Sequence, residues 1–318
     1  MIIVFKNKTK TDGDNKEKRN QIDLLKKYRF IKYLYKNLFK KAFNVFNLIN
    51  KAYYMPSPKE ADMVLSTGVV INEKKPWIMK VLDTPFGMAG NDYKVFIKNK
   101  EGIERSLSSE YCKRIIVHTN RAKEHMEKYF SKNVTEKIIK LNPAIPGKIS
   151  ERKERDDKNV KFIFMGSINN PDDFFMKGGL EALETFKMLS KKYKNITLNV
   201  RCKVPEDVKT DYKADNLNFL ETPMEYDEIK KLYQNSDILI MPGYGGYFIM
   251  AYLEAFSYGL PIVALDTYGV KEFVIDGKTG CSVKPSEKVP INDPSYPANT
   301  RSNKFIKSIK EKDPEVIN

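Results

Sequence analysis

Lys177 stands immediately before Gly178 and Gly179, and these three follow an apolar run, Phe162 to Met165, that ends at Gly166. An apolar run, a glycine break, a loop and a helix start together outline a phosphate cradle. The first amides of a helix are unpaired, its dipole is positive at that end, and a lysine adds a full charge. The same pattern is also what an ordinary strand-turn-helix unit with a solvated lysine looks like. A second helix start lies in YGGYFIMAYLEAFSYGLPIVA, from Tyr244 to Ala264. Gly243, Gly245 and Gly246 let the backbone approach a ligand closely, and a helix beginning at Phe248 would aim its amides at an anion. Glu254 falls about two turns into that helix, otherwise lined with Ile249, Met250, Ala251, Tyr252 and Leu253. It is either a surface residue or a buried acceptor for a pair of sugar hydroxyls. His118, at the end of the run Ile115 to Val117, is a candidate for a polar contact beside its reading as a structural histidine. His125 falls inside a helix and needs no functional explanation.

The elements that must position these residues alternate along the chain. A short strand over residues 2–5 leads into a polar loop whose turn is Asp12-Gly13-Asp14. From Gln21 to Asn50, Leu24, Tyr28, Ile31, Tyr35, Leu38, Ala42, Val45 and Ile49 recur at steps of four and three, which predicts one helix or a pair of helices. Its other faces are lysine-rich and aromatics flank the stripe. It suits the surface of an anionic bilayer as well as it suits packing on a first sheet. Strand-like runs follow at Met63 to Leu65, Trp77 to Leu82 and Arg114 to Val117. A helix comes next at Ala122 to Phe130, capped by Thr119 or Asn120, then a strand at Ile138 to Leu141.

Residues 146–159 are polar, densely charged and aperiodic, and read as a linker. Beyond it the pattern predicts strands at Val160 to Met165, Ile196 to Val200, Leu217 to Leu220, Ile238 to Ile240 and Ile262 to Leu265. Helices are predicted at Leu180 to Lys192, Tyr226 to Gln234, Phe248 to Tyr258 and Lys271 to Ile275. Alternation of this kind implies a doubly wound α/β domain, and a cleft between two such domains is the natural ligand site.

With 318 residues the chain can bury two cores, and its 31% charged and 41% hydrophobic residues place it among globular proteins. Cys112, Cys202 and Cys281 are odd in number and unpaired in spacing, so neither a disulfide framework nor a zinc site is suggested, and a reducing, cytoplasmic setting is the default. Met1 to Phe5 is too short for a secretory signal, and the longest uncharged run, between Asp237 and Glu254, falls short of the roughly 20 residues a spanning helix needs. The net charge of +15 is concentrated at the start: residues 1–60 hold fifteen Lys or Arg against five Asp or Glu. That excess favours an anionic partner, whether lipid surface, nucleic acid or phosphorylated substrate, or it is a solubilising surface. No recognisable nucleic-acid module accompanies it, so no nucleic acid is expected.

The second half resembles the donor-binding domain of retaining GT-B glycosyltransferases of family 4. The residues that carry the resemblance run in family order: Phe164-Met165-Gly166, Lys177-Gly178-Gly179, Asp237 to Pro242, Leu253 to Ala264, Gly269 to Glu272, and Asp276 to Gly280. It extends over residues 160–284 and more weakly to Arg114 to Thr119 and Leu141 to Ile145. The resemblance implies an α/β GT-B architecture: two Rossmann-like doubly wound parallel-sheet domains, 1–148 and 160–318, joined by a linker at 149–159 and facing a central cleft. It implies transfer of a hexose from a UDP- or GDP-sugar to a glycan or lipid-linked acceptor, retaining and without metal or other cofactor. The place would be the cytoplasm or the inner face of the membrane, touched through residues 21–50.

By the same similarity Glu254 would accept hydrogen bonds from the nucleotide ribose, and Lys177 would hold the diphosphate and steady the leaving group. Gly166, Ser167, Gly178 and the stretch Gly245, Gly246, Tyr247 and Phe248 would serve phosphate and sugar. Glu272 would shape the base pocket, and His118 would touch the acceptor. Three positions depart from the family pattern. Ser167 stands where an arginine usually pairs with the lysine, Gly246 replaces the carboxylate eight residues before Glu254, and Ile249 replaces a glycine. These departures support an alternative, a catalytically weakened relative that binds nucleotide-sugar or glycan without efficient transfer. GT-B enzymes usually finish with helices that return to the first domain; here a helix begins near Lys304 and stops at Asn318, so a short or truncated tail is expected.

Overall fold

Short apolar runs separated by amphipathic, lysine-edged segments can bury their apolar sides only as strands covered by helices. The computed structural model has this arrangement, and it describes residues 2–5, 54–55, 62–145, 158–168, 172–245, 249–291, 303–311 and 313. The basic stripe at 21–50 and most of the linker lie outside the described residues. Internal contacts divide the chain into two units, Met1–Asn142 and Pro143–Asn318.

The first unit carries β1 (Ile2–Phe5), β2 (Tyr54–Met55), β3 (Met63–Thr67), β4 (Val70–Ile71), β5 (Trp77–Lys80), β6 (Cys112–Val117) and β7 (Ile138–Lys140). Its main sheet has the order β1-β3-β5-β6-β7, and β2 pairs with β4 in a separate parallel ribbon. The sheet is parallel except at one edge, where β1 runs antiparallel to β3 with Ile2 opposite Ser66. An antiparallel edge strand on a parallel sheet needs no crossover of fixed hand, and strand direction leaves no mark in a four-residue apolar run.

Two of the described helices pack on this sheet. α1 (Tyr93–Ser108) escaped the sequence reading because its buried residues Val95, Phe96, Ile103 and Leu107 are diluted by lysines and polar residues. Asp92 caps it, accepting from the Val95 amide at 3.0 Å. α2 (Asn120–Tyr129) is capped by Thr119, which accepts from the Ala122 amide at 2.9 Å. A turn, α3 (Lys132–Thr135), follows it. Phe86 is the hub of the core here, with the rings of Phe96 and Tyr129 edge-on at 5.2 and 5.5 Å.

The second unit alternates with few interruptions: β8 (Val160–Met165), α4 (Asp172–Met176), α5 (Gly179–Lys192), β9 (Ile196–Arg201), α6 (Glu206–Asp211), β10 (Leu217–Phe219) and α7 (Tyr226–Gln234). It continues with β11 (Ile238–Ile240), α8 (Ile249–Ser257), β12 (Ile262–Leu265), β13 (Gly280–Val283) and α9 (Asn303–Lys310). The segment expected to be a helix at 271–275 is a single 3-10 turn, Val270–Glu272. Phe174 of α4 is fully buried.

The sheet is parallel throughout, in the order β10-β9-β8-β11-β12-β13. Counted within the unit this is the 3-2-1-4-5-6 order of the doubly wound nucleotide-binding fold. The order reverses between β8 and β11. Connections leave the sheet there toward opposite faces and open a crevice beyond the carboxyl ends of the strands. Ile163, Phe164, Leu198, Leu239 and Ile262 form the floor of the core. Among the described residues no helix is long and apolar enough to cross a membrane.

Candidate functional site

A cavity of about 260 Å³ opens in the second unit where the carboxyl ends of β8 and β9 meet α7 and α8. Its lining joins Gly166, Lys177 and Glu254, three residues singled out from the sequence, with Arg201, Tyr226 and Tyr233, which were not.

Gly166 has to be glycine for a steric reason. A Cβ there would come within 2.1 Å of Cys202 Sγ, so the chain leaving β8 lies flat against the end of β9. The two strand ends are also tied in both directions: the Gly166 amide donates to the Arg201 carbonyl at 2.7 Å, and Arg201 Nη1 donates to the Gly166 carbonyl at 2.9 Å. Gly178 is constrained twice over. It takes φ +78°, and a Cβ would meet the Pro242 carbonyl at 2.2 Å. The turn carrying Lys177 is thereby pressed against the loop after β11. That loop is held by Tyr244, whose amide donates to the Met176 carbonyl at 3.0 Å, and by the Thr267 hydroxyl, which donates to the Gly243 carbonyl at 2.8 Å.

Glu254 is only partly exposed, and its Oε2 accepts from the Tyr233 hydroxyl at 3.0 Å. Tyr233 is buried and stacked on Tyr258 at 5.5 Å with the rings 4° from parallel. Burial, with the Glu254 charge beside it, raises the Tyr233 pKa well above the ordinary tyrosine range. The phenol therefore stays protonated and keeps donating, which fixes one carboxylate oxygen and leaves the other for a ligand. Cys202 is no nucleophile: burial pushes its thiol up to about 12 despite Lys177 nearby.

The other sequence candidates sit differently. Ser167 and Gly245 follow β8 and β11, Gly178 caps α5, and Glu272 ends the 3-10 turn after β12; none of these four is among the described residues that line the cavity. Gly246, Tyr247 and Phe248 lie outside the described residues. His118 belongs to the first unit, at the end of β6, with Nδ1 2.7 Å from the Leu141 carbonyl. That contact assigns the proton to Nδ1, and Nε2 is buried with no partner among the described residues. Burial lowers the His118 pKa, opposed by the hydrogen bond to Leu141 and helped by Lys80. No group of three His, Cys, Asp or Glu that could hold a metal ion occurs among the described residues.

Arg201 was missed although it directly follows the strand read at Ile196 to Val200. Only the pairing of β8 with β9, which sets Met165 opposite Arg201, brings it to Gly166. Tyr226 and Tyr233 were read as helix positions. The signal for a site role, two aromatics on one face seven residues apart, is shared by any amphipathic helix.

Residues 147–291 match the family model described as Glycosyl transferases group 1. No curated protein matches the chain. Among solved structures the chain is similar to the pneumococcal O-GlcNAc transferase GtfA in complex with UDP and GlcNAc. Identity is 15% and the TM-score 0.52, over 76% of this chain and 47% of that one. It is likewise similar to the GtfA/B complex, at 14% identity and TM-score 0.51 over 77% of this chain and 50% of that one. A third is WaaG, a glycosyltransferase involved in lipopolysaccharide biosynthesis, at 18% identity and TM-score 0.51 over 76% and 71%. The chain thus spans about half the length of the first two. At these identities the likeness is one of fold: the chain has the two-unit, Rossmann-like α/β fold of the GT-B glycosyltransferases, and its residues 147–291 are similar to the glycosyl transferases of group 1.

Proposed function

We propose that this protein is a glycosyltransferase whose second unit binds a nucleotide-diphosphate sugar and passes the sugar to a glycan or lipid-linked acceptor. The observation that supports it most is the convergence of Lys177, Glu254 and Gly166 from three separate elements on one cavity, at the point where the strand order reverses. In this reading Glu254, oriented by Tyr233, accepts from the ribose hydroxyls. Lys177 lies against the diphosphate, whose charge grows as the bond between the sugar carbon and the phosphate oxygen breaks. A fixed cation beside that oxygen lowers the barrier; removing one such group typically costs roughly 10² to 10³ in rate. Transfer is retaining and directed to a hexose, in keeping with the family resemblance, and requires no metal.

The test is calorimetric titration of the chain with UDP, GDP and their sugar conjugates, repeated on Lys177→Ala and Glu254→Ala, with donor hydrolysis followed in the same samples. Loss of the charge-assisted hydrogen bonds should weaken binding by about tenfold to a hundredfold in each variant. No binding of any nucleotide by the parent would overturn the reading. The presence of Ser167 and Gly246 at two donor-site positions favours a second reading, a protein that binds the donor and barely turns it over. Tight binding without hydrolysis or transfer would favour it.

A further inference from the structure

We propose that Arg201 supplies the second cation for the donor diphosphate, reaching the site from β9 in place of the residue at position 167. The inference rests on the donor-site reading above. At the end of β8 this chain has Ser167, a neutral side chain, which leaves Lys177 as the cation on that side of the cavity from the β8 to α5 connection. The neighbouring strand restores the charge. β8 and β9 run parallel with Met165 opposite Arg201, so Arg201 starts one strand spacing away, about 4.8 Å, and level with the strand end.

The guanidinium is already aimed. Its Nη1 donates to the Gly166 carbonyl at 2.9 Å, which holds the group at the lip of the same cavity that Lys177 and Glu254 line. An arginine has five N–H donors in a rigid fork; here one is used by Gly166, and Nε is buried with no partner among the described residues. Arg201 also makes no ion pair with a described residue. A half-buried cation with no counter-ion among the described residues is well placed to be completed by an anion, and a planar fork matches two phosphate oxygens at once. A diphosphate between Lys177 and Arg201 meets that need. The tie to Gly166 means that little side-chain freedom is lost when it binds.

The test separates anion recognition from support of the strand ends. The parent, Arg201→Gln, Arg201→Lys and the double variant Ser167→Arg/Arg201→Gln are titrated with UDP, GDP, the matching monophosphates and the bare nucleosides. Calorimetry serves for the tighter ligands and ligand-observed NMR for the weaker ones. Arg201→Gln should weaken the diphosphates at least about tenfold and leave the nucleosides within about twofold. Arg201→Lys should fall between, keeping the charge without the fork, and it serves alone if the glutamine variant melts early. Ser167→Arg should recover much of the diphosphate affinity in the glutamine background.

Equal losses for diphosphate and nucleoside would make Arg201 a structural residue, and unchanged diphosphate affinity in Arg201→Gln would remove it from the site; either overturns this inference and leaves the donor-site reading intact. A parent that binds no diphosphate overturns both.

Discussion

Replacing Glu181 by glutamine should change how the stability of the second unit depends on pH. Glu181 lies in the first turn of α5, four residues after Lys177, and is 8% exposed. Its Oε1 accepts from the Tyr244 hydroxyl, and its Oε2 is buried with no partner among the described residues. Burial raises its pKa from 4.5 to about 7, and the Tyr244 hydrogen bond offsets only part of that. Because the folded value lies above the unfolded one, the contribution to stability is complete below pH 4.5. It is lost as the pH rises toward 7, since the unfolded chain ionises first. The full gap is worth roughly 3 kcal/mol, and most of it, about 2.5 kcal/mol, falls between pH 5 and 8.

Glutamine cannot ionise and should lack this decline. It leaves amide hydrogens unpaired, at a fixed cost of about 1 to 3 kcal/mol, so the informative quantity is the slope and not the offset. Urea unfolding of parent and variant at pH 5, 6, 7 and 8 reads it directly. With a slope of roughly 2 to 3 kcal/mol per molar urea, the parent midpoint should fall by about 1 M relative to the variant across that range. Midpoints that stay parallel would refute the claim that burial raises the Glu181 pKa on folding.

Two glycines give further tests. Gly178→Ala places a side chain at φ +78° with its Cβ 2.2 Å from the Pro242 carbonyl, and should cost at least about 2 kcal/mol in urea unfolding; a change under about 0.5 kcal/mol would mean that the turn and the loop after β11 are not in contact. Gly166→Ala drives its Cβ into Cys202 Sγ and should cost about 1 to 3 kcal/mol. Part of that should return with Cys202→Ala, since Cys202 Cβ, at 2.6 Å, still crowds it. Strictly additive effects in that double-mutant cycle would exclude the contact.

Residues 160–284 were readable as a doubly wound domain because each piece of the signal is local. A strand such as Ile262–Leu265 is an uninterrupted apolar run bounded by a proline and an aspartate, and Tyr226–Gln234 is an amphipathic period bounded by polar residues. Local patterns failed where burial was uneven. Gly280–Val283 was missed as a strand because Cys281 and Val283 are exposed at the sheet edge, and α4 because two of its five residues are aspartates that hide two buried phenylalanines.

Residue order alone places Lys177 after a glycine-broken strand and Glu254 on a helix followed by a glycine and a proline, and shows that Ser167 and Gly246 depart from the donor-site pattern these resemble. The tertiary structure decided what surrounds them. Arg201 reaches Gly166 through a strand pairing, Tyr233 orients Glu254 from a different helix, and Gly178 needs its missing Cβ because of a loop far along the chain. The reason is physical. Side-chain type and spacing set helix, strand and turn within a few residues, whereas a cavity is made where elements distant in sequence are forced together by burial of their apolar faces.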